Sequence, residues 1–354
     1  MTSSELAAAP PAVDTPALAG LTTLRVGGPA SRYVRATSEA ELIDAVRGCD
    51  EAGEPVLVLG GGSNVLVADS GFAGTVVHVA TSGIEVIDCG CGYPTVQVAA
   101  GTEWDAVVVR AIEDSLAGVE CLSGIPGTAG ATPVQNVGAY GQEVASTVER
   151  VRAYDRAERR TRTFPVGECG FGYRTSRFKR EPGRYVVLSV EYALRPASLS
   201  DPVRYAELAR ALGVELNARA PLADVRAAVL SLRAAKGMVL DAEDPDTWSA
   251  GSFFTNPVLD AEAAAALPEG APRWPAGDGL VKVPAAWLIE SSGFGKGHGA
   301  GPARLSTKHT LALTNRGGAS AADLAALARE VRDGVRARFG IELVPEPVLV
   351  GLEL

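Results

Sequence analysis

Leu42, Ile43 and Val46 recur at helical spacing behind Ser38 and Glu41, and the run closes on Gly53. A serine three residues before a glutamate satisfies the first free amides of a helix, so a capped amphipathic helix is predicted here. PVLVLG (55–60) then reads as a buried strand, GGSN as a tight turn and VLVAD (65–69) as a second strand. GTVVHVA (74–80), TVQVAAG (95–101) and YVVLSVEYAL (185–194) continue a β-rich half, with a helix expected from Asp105 to Leu116. From 222 the period changes: LADVRAAVLSLRAAKG is helical and stops at Gly237. A last helix starts at Ser320, with Asp323 completing its capping box, and runs through Leu324, Leu327, Val331 and Val335 to Gly340.

Two glycine-rich runs fit neither period. LGGGSNVLV (59–67) is no dinucleotide fingerprint, because Val65 stands where the third glycine belongs and a strand follows where a helix is needed. No G-x-x-x-x-G-K-[ST] occurs in the chain. A plain hairpin turn with Ser63 and Asn64 as polar tips is the simplest expectation, although its amides also suit an anion nest. CLSGIPGTAGATPVQNVGAYG (121–141) holds five glycines and no charge. Such a run lets the main chain press against a flat or charged ligand, with Gln135 and Asn136 as the amides suited to ring edges; a tightly packed structural loop fits the composition equally.

The 354 residues exceed one ordinary core and imply two or three domains. A 47% hydrophobic, 21% charged composition is that of a soluble globular protein, and no apolar run approaches the roughly 20 residues of a membrane span. The net charge of −9 argues against nucleic-acid and membrane-surface binding, while leaving anionic small ligands open. Residues 1–20, rich in Ala and Pro, lack the features of a signal peptide and are expected to be a disordered tail. Five scattered cysteines (49, 89, 91, 121, 169), with only a CxC at 89–91, are expected to be reduced thiols and hold no metal.

LRVGGPA (24–30), LGGGSNVL (59–66), SGIPGTAGATPVQNVGAYGQE (123–143), GYRTSRFK (172–179), AGSFFTNP (250–257), PAAWLIE (284–290) and STKH (306–309), in this order, resemble the UDP-N-acetylenolpyruvoylglucosamine reductase (MurB) family. The resemblance spans about residues 20–354. It implies an α+β fold, with an FAD-binding body of the vanillyl-alcohol oxidase (PCMH) type and a smaller α+β substrate domain. The expected organisation is FAD binding over 21–200 (split near 85), a substrate loop and connection over 201–235, a substrate domain over 236–340, and a C-terminal strand over 341–354. Noncovalent FAD is expected at Gly60, Gly61, Gly62, Ser63, Asn64, Ile125, Pro126, Gly127, Ala131, Thr132, Gln135 and Gly138.

The resemblance also implies a cytoplasmic, monomeric enzyme that takes hydride from NADPH onto FAD and passes it to the enolpyruvyl group of a UDP-sugar. Arg174 would stabilise the developing enolate, Glu346 would polarise the carboxyl group or relay a proton, and Ser252 would protonate the carbanion. RPASLSDPVRYAELARAL (195–212) fits the substrate-closing loop that marks one branch of the family. Tyr205 in this loop, with Tyr140, Tyr173, Lys236 and Asn256, would contact the substrate. GFGKGHGAG (293–301) departs from the pattern, with Gly299 where the family has a glutamine. A carbohydrate oxidase of the same flavin fold is the alternative, and a UDP-sugar-binding protein without flavin the third.

Overall fold

The computed structural model of the protein describes residues 15–87 and 93–354, so Cys89 and Cys91 lie outside the described residues. The tail expected over 1–20 ends sooner than the composition suggests. Leu18–Leu21 forms a short helical turn, and Leu18 is fully buried against Val65, Val67 and Val350.

β1 (Ala30–Ala36), α1 (Glu39–Ala52), β2 (Val56–Leu59), β3 (Val65–Val67) and β4 (Phe72–Val79) open the fold. The capping of α1 is as the pattern predicts: Ser38 accepts the Glu41 N–H at 3.2 Å, and Gly53 ends the helix at φ +65°. β1, β4 and β2 form a parallel sheet, with β4 in the middle. β3 is not in it, and here the hairpin expectation fails. β3 pairs in parallel with Val348–Val350, in the register Val65 to Val348, so GGGSN links two different sheets. Hairpin geometry would need β3 to return along β2; its fully buried face instead closes on the chain's last strand.

β5 (Ile84–Ile87) and β6 (Thr95–Ala99) form one side of an antiparallel five-stranded sheet completed by Tyr185–Ala193, Val148–Asp155 and Arg160–Pro165. Against it packs α2 (Trp104–Glu113) through Trp104, Val107, Val108 and Ala111. α2 stops short of the expected Leu116, because Leu116–Ala117 leaves to pair with Arg195–Pro196.

A second core is built from Phe253, Phe254, Ala285–Ser291 and the apolar face of Ala321–Phe339, joined by Leu24, Val26 and Leu66. The two halves are stitched by polar contacts. Asp69 accepts the Ala321 and Ala322 N–H groups at 2.7 and 3.0 Å, capping the long helix from the other half. The buried Asn315 amide donates to Leu24 O at 3.1 Å. STKH is part of this framework: Thr307 N–H and Oγ1 hold Asp246, and Lys308 pairs with Asp244 at 2.5 Å.

The 195–212 stretch is only half a loop. Ala206–Leu212 is a helix because Leu208 and Ala209 are buried against Val225 and Val229 of Leu222–Ala235.

Candidate active site

The two glycine runs come together and form one wall of a cleft of about 350 Å³. Their approach is close enough to exclude side chains. A Cβ on Gly61 would sit 2.7 Å from Gly127 Cα, and one on Gly62, at φ +61°, only 1.8 Å from Leu21 O. Loop-to-loop packing therefore requires glycine here before any ligand does. Ser63 Oγ reinforces the junction by donating to Pro126 O at 3.1 Å, and Asn64 Nδ2 donates to Gln135 Oε1 at 2.6 Å. The start of the second run is held by Asp105, which accepts Gly124 N–H at 2.6 Å and grips Arg226 bidentately; Arg226 chiefly keeps its carboxyl below the usual range.

The first run leaves donors unspent. Among the described residues, the main-chain N–H groups of Gly61, Gly62, Ser63 and Asn64 donate no hydrogen bond to the protein. Consecutive free amides at a concave, positive-φ turn form a nest for an anion such as a pyrophosphate. The second run adds a flat, mainly apolar wall from Ile125, Pro126, Ala131, Thr132, Val134 and Val137. Amides at one end and apolar surface along the wall suit a flavin nucleotide.

Of the expected flavin contacts, Gly60, Gly61, Gly62, Ser63, Asn64, Ile125, Pro126, Ala131, Thr132, Gln135 and Gly138 line this cleft, while Gly127 lies behind Gly61. Asn136 cannot serve as a ring-edge reader. It is buried at φ +47°, and its side chain is spent on Glu143, Gly172 O and Ala145 N–H. Thr132 lines the cleft, yet its hydroxyl is bonded to Ala129 O and Tyr192.

Arg174 and Glu346 meet at the far end of the cleft, Nε to Oε1 at 3.4 Å, with side chains only 23% and 13% exposed. Arg174 sits at the tip of a tight turn closed by Gly172 and Thr175, at φ +51°. That conformation costs a branch-free L-residue about 1–3 kcal/mol and is tolerated where surroundings enforce it. The enforcement is visible: Nη2 donates to Gly138 O at 2.8 Å and Nη1 to Asn136 O at 3.4 Å. Glu346 is fixed from three sides by main-chain bonds. Its N–H donates to Phe253 O at 2.8 Å, its O accepts from Asn64 Nδ2 at 3.3 Å, and Val348 N–H donates to Asn64 O at 3.0 Å. The turn that offers free amides thus also places the glutamate. Burial raises the Glu346 carboxyl above the ordinary range, and the Arg174 and Lys179 charges oppose that rise.

Ser252 is half-buried, one residue before the contact with Glu346. Its neighbour Phe253 holds the Glu346 amide, and Ala250 and Gly251 line the cleft, although Ser252 itself does not.

The five expected substrate contacts lie outside the cleft, in two groups. Tyr140 and Tyr205 meet edge to face at 5.4 Å, and Lys236 Nζ lies 5.7 Å from the Tyr140 ring while pairing with Glu207 at 2.6 Å. Burial pushes the Tyr140 hydroxyl up to about 12. On another side, Tyr173 stands between Lys282, 4.7 Å above its ring, and Arg174 at 5.7 Å. Asn256 Oδ1 accepts the Ala285 N–H at 2.9 Å. Gly299 has φ +116°, and a Cβ there would lie 3.0 Å from Ala303 O.

Two cleft cations escape sequence reasoning. Lys179 ends the GYRTSRFK run but carries no pattern that assigns it a role. Arg233, one turn before Lys236, donates to Met238 O at 2.7 Å, and its Nε is buried without an acceptor among the described residues. The R-x-x-K spacing is the only signal that would have pointed to it.

A family profile for the FAD binding domain matches residues 30–163, and one for the UDP-N-acetylenolpyruvoylglucosamine reductase C-terminal domain matches 243–350. The chain is 59% identical over 351 residues to UDP-N-acetylenolpyruvoylglucosamine reductase of Streptomyces avermitilis, covering 95% of this chain and 94% of the relative. It is 60% identical over 348 residues to the Nocardia farcinica reductase, covering 95% and 89%. The crystal structure of the MurB reductase from Thermus caldophilus aligns with a TM-score of 0.65 at 26% identity, over 95% of this chain and 98% of that one. With an FAD-binding half, a reductase-type C-terminal half and this extent of identity, the chain belongs to the UDP-N-acetylenolpyruvoylglucosamine reductase family.

Proposed function

We propose that the protein reduces UDP-N-acetyl-3-O-enolpyruvoylglucosamine to UDP-N-acetylmuramate in the cytoplasm, as a monomer, with noncovalent FAD and with NADPH as the electron source. The observation that carries this reading is the Arg174–Glu346 pair at the end of a glycine-lined cleft with unspent amides. When bound, FAD would supply the hydride chemistry that links NADPH to the enolpyruvyl double bond; Gly61 to Asn64 would hold its pyrophosphate, and the wall from Ile125 to Gly138 would take the rest of the nucleotide.

Hydride addition moves negative charge onto the substrate carboxylate, so its stabilisers must be in place beforehand. Arg174 meets that need: its guanidinium is aimed by Gly138 O and Asn136 O. Glu346, whose protonated form burial favours, polarises the carboxyl group or relays a proton. Ser252 delivers the last proton to carbon. A hydroxyl yields its proton reluctantly, and only a strongly basic carbanion makes it an adequate acid. Tyr205, Tyr140 and Lys236 close over the substrate diphosphate, while Tyr173 and Asn256 contact it from the other side.

Anaerobic stopped-flow spectroscopy tests the reading. NADPH should bleach the flavin, and the enolpyruvyl sugar nucleotide should then restore its colour without oxygen. Bleaching by a sugar alone, with recolouring only by oxygen, would establish an oxidase instead.

A further inference from the structure

Lys179 lies on the short helix Arg177–Arg180. The fully buried Ser176 caps that helix, accepting Lys179 N–H at 3.4 Å and donating to Val134 O at 2.6 Å. The helix is therefore fastened to the second glycine run, and Lys179 lines the same cleft as Arg174 and Glu346. Among the described residues its ammonium has no carboxylate within 4.0 Å and donates no hydrogen bond.

The charges at this end do not cancel. Arg174 and Glu346 are an ion pair and balance each other. Lys179, half-buried and with Glu346 as the anion whose field it feels, leaves one positive charge in surplus. Burial penalises an unpartnered ammonium, and its protonation is correspondingly weakened. A neutral ligand would leave that cost standing, whereas a monoanion would offset it. An Arg–Glu pair alone gives no net reason to prefer a carboxylate.

We propose that Lys179 is the counter-charge for one ligand carboxylate bound at Arg174 and Glu346, making this end of the cleft selective for an anionic substituent. The inference rests on the reading that the enolpyruvyl carboxylate binds there. Lys179 would also face the charge that grows on that carboxylate during reduction.

The test uses the oxidised holoenzyme and two probes: the enolpyruvyl sugar nucleotide, and UDP-N-acetylglucosamine, which lacks the carboxylate. Binding is followed by perturbation of the flavin spectrum, and the midpoint potential of bound FAD is measured in parallel. Lys179→Met should weaken the enolpyruvyl compound roughly ten- to hundredfold, the range for loss of a charged hydrogen bond, and leave UDP-N-acetylglucosamine within about twofold. Lys179→Arg, which keeps the charge, should recover most of the loss. Equal weakening of both probes would reduce Lys179 to a shaping residue. A fall in flavin potential with discrimination intact would assign its charge to the cofactor. Unchanged binding in both variants would also overturn the proposal. If the wild type itself shows no preference for the carboxylate-bearing probe, the substrate reading fails and the lysine assignment falls with it; a wild-type preference that Lys179→Met leaves intact overturns the lysine assignment alone.

Discussion

Arg174 and Lys236 are both cations paired to a glutamate, Glu346 and Glu207, yet their surroundings differ. The Arg174–Glu346 pair is 23% and 13% exposed, and main-chain hydrogen bonds hold the segments that carry both residues. The Lys236–Glu207 pair is 33% exposed on both sides, and Glu207 sits in the first turn of a helix that follows an irregular segment. Removing one partner of a buried pair strands a charge and costs about 3–5 kcal/mol, whereas a screened surface pair is worth about 0–1 kcal/mol. The deep end is thus held in one arrangement, and the rim by contacts that cost little to break.

The largest effect should come from the deep end. Ser252→Ala should leave flavin reduction by NADPH near wild type while reoxidation by the sugar falls roughly a hundred- to ten-thousandfold. Ser252→Cys should recover part, because a thiol is the better acid. Equal slowing of both half-reactions would make Ser252 structural and erase its difference from the rim.

Arg174→Lys and Glu346→Gln come next. Each should slow reoxidation by about a hundredfold, the lysine because it loses the planar fork, the glutamine because it loses ionisation. If the pair acts as one unit, the double variant should be little worse than the poorer single one; fully multiplicative losses would separate them. Glu346→Gln also carries a stability prediction. The folded carboxyl is raised above its ordinary 4.5, chiefly by burial, so the native state loses stability as pH rises through and beyond that region. The variant's amide does not titrate, so its melting temperature should fall less than wild type's between pH 4 and pH 8, on top of a constant loss from leaving Arg174 unpaired, as calorimetry would show.

At the rim, Tyr205→Phe should weaken sugar-nucleotide binding by roughly tenfold at most, the value of one hydrogen bond, with both half-reactions at saturation barely changed. Limited proteolysis near 197–204 should slow when the sugar nucleotide is present. Cleavage indifferent to ligand would remove the closing-loop assignment. The smallest effect is expected for Glu207→Gln. Freeing Lys236 from its partner should tighten sugar-nucleotide binding by about two- to fivefold, within the worth of an exposed pair. Weaker binding would mean that Glu207 positions the lysine instead of occupying it.

Much of this was legible in the chain itself. Ser38, Gly53, Ser320, Asp323 and Gly340 mark their helix ends because capping is local chemistry between neighbours in sequence. The glycine runs announced close backbone approach. Resemblance alone named Arg174, Glu346 and Ser252; the fold brings the first two into contact, and nothing local distinguishes a reactive serine from a turn serine.

The long-range pairings were decided elsewhere. A hairpin at 59–67 was the local optimum, yet β3 pairs with Val348–Val350, because burying both faces of a short valine strand requires a partner from the far end of the chain. That pairing also delivers Glu346 to Arg174, 172 residues away in sequence. Asn136 offered an amide that the fold consumed internally, and Lys179 offered none of the usual signals of a site. The sequence by itself determined caps, periods and the supply of glycine. Which donors remain unspent, and which charges remain unbalanced, depended on partners brought in from distant segments, and only the tertiary structure counts those.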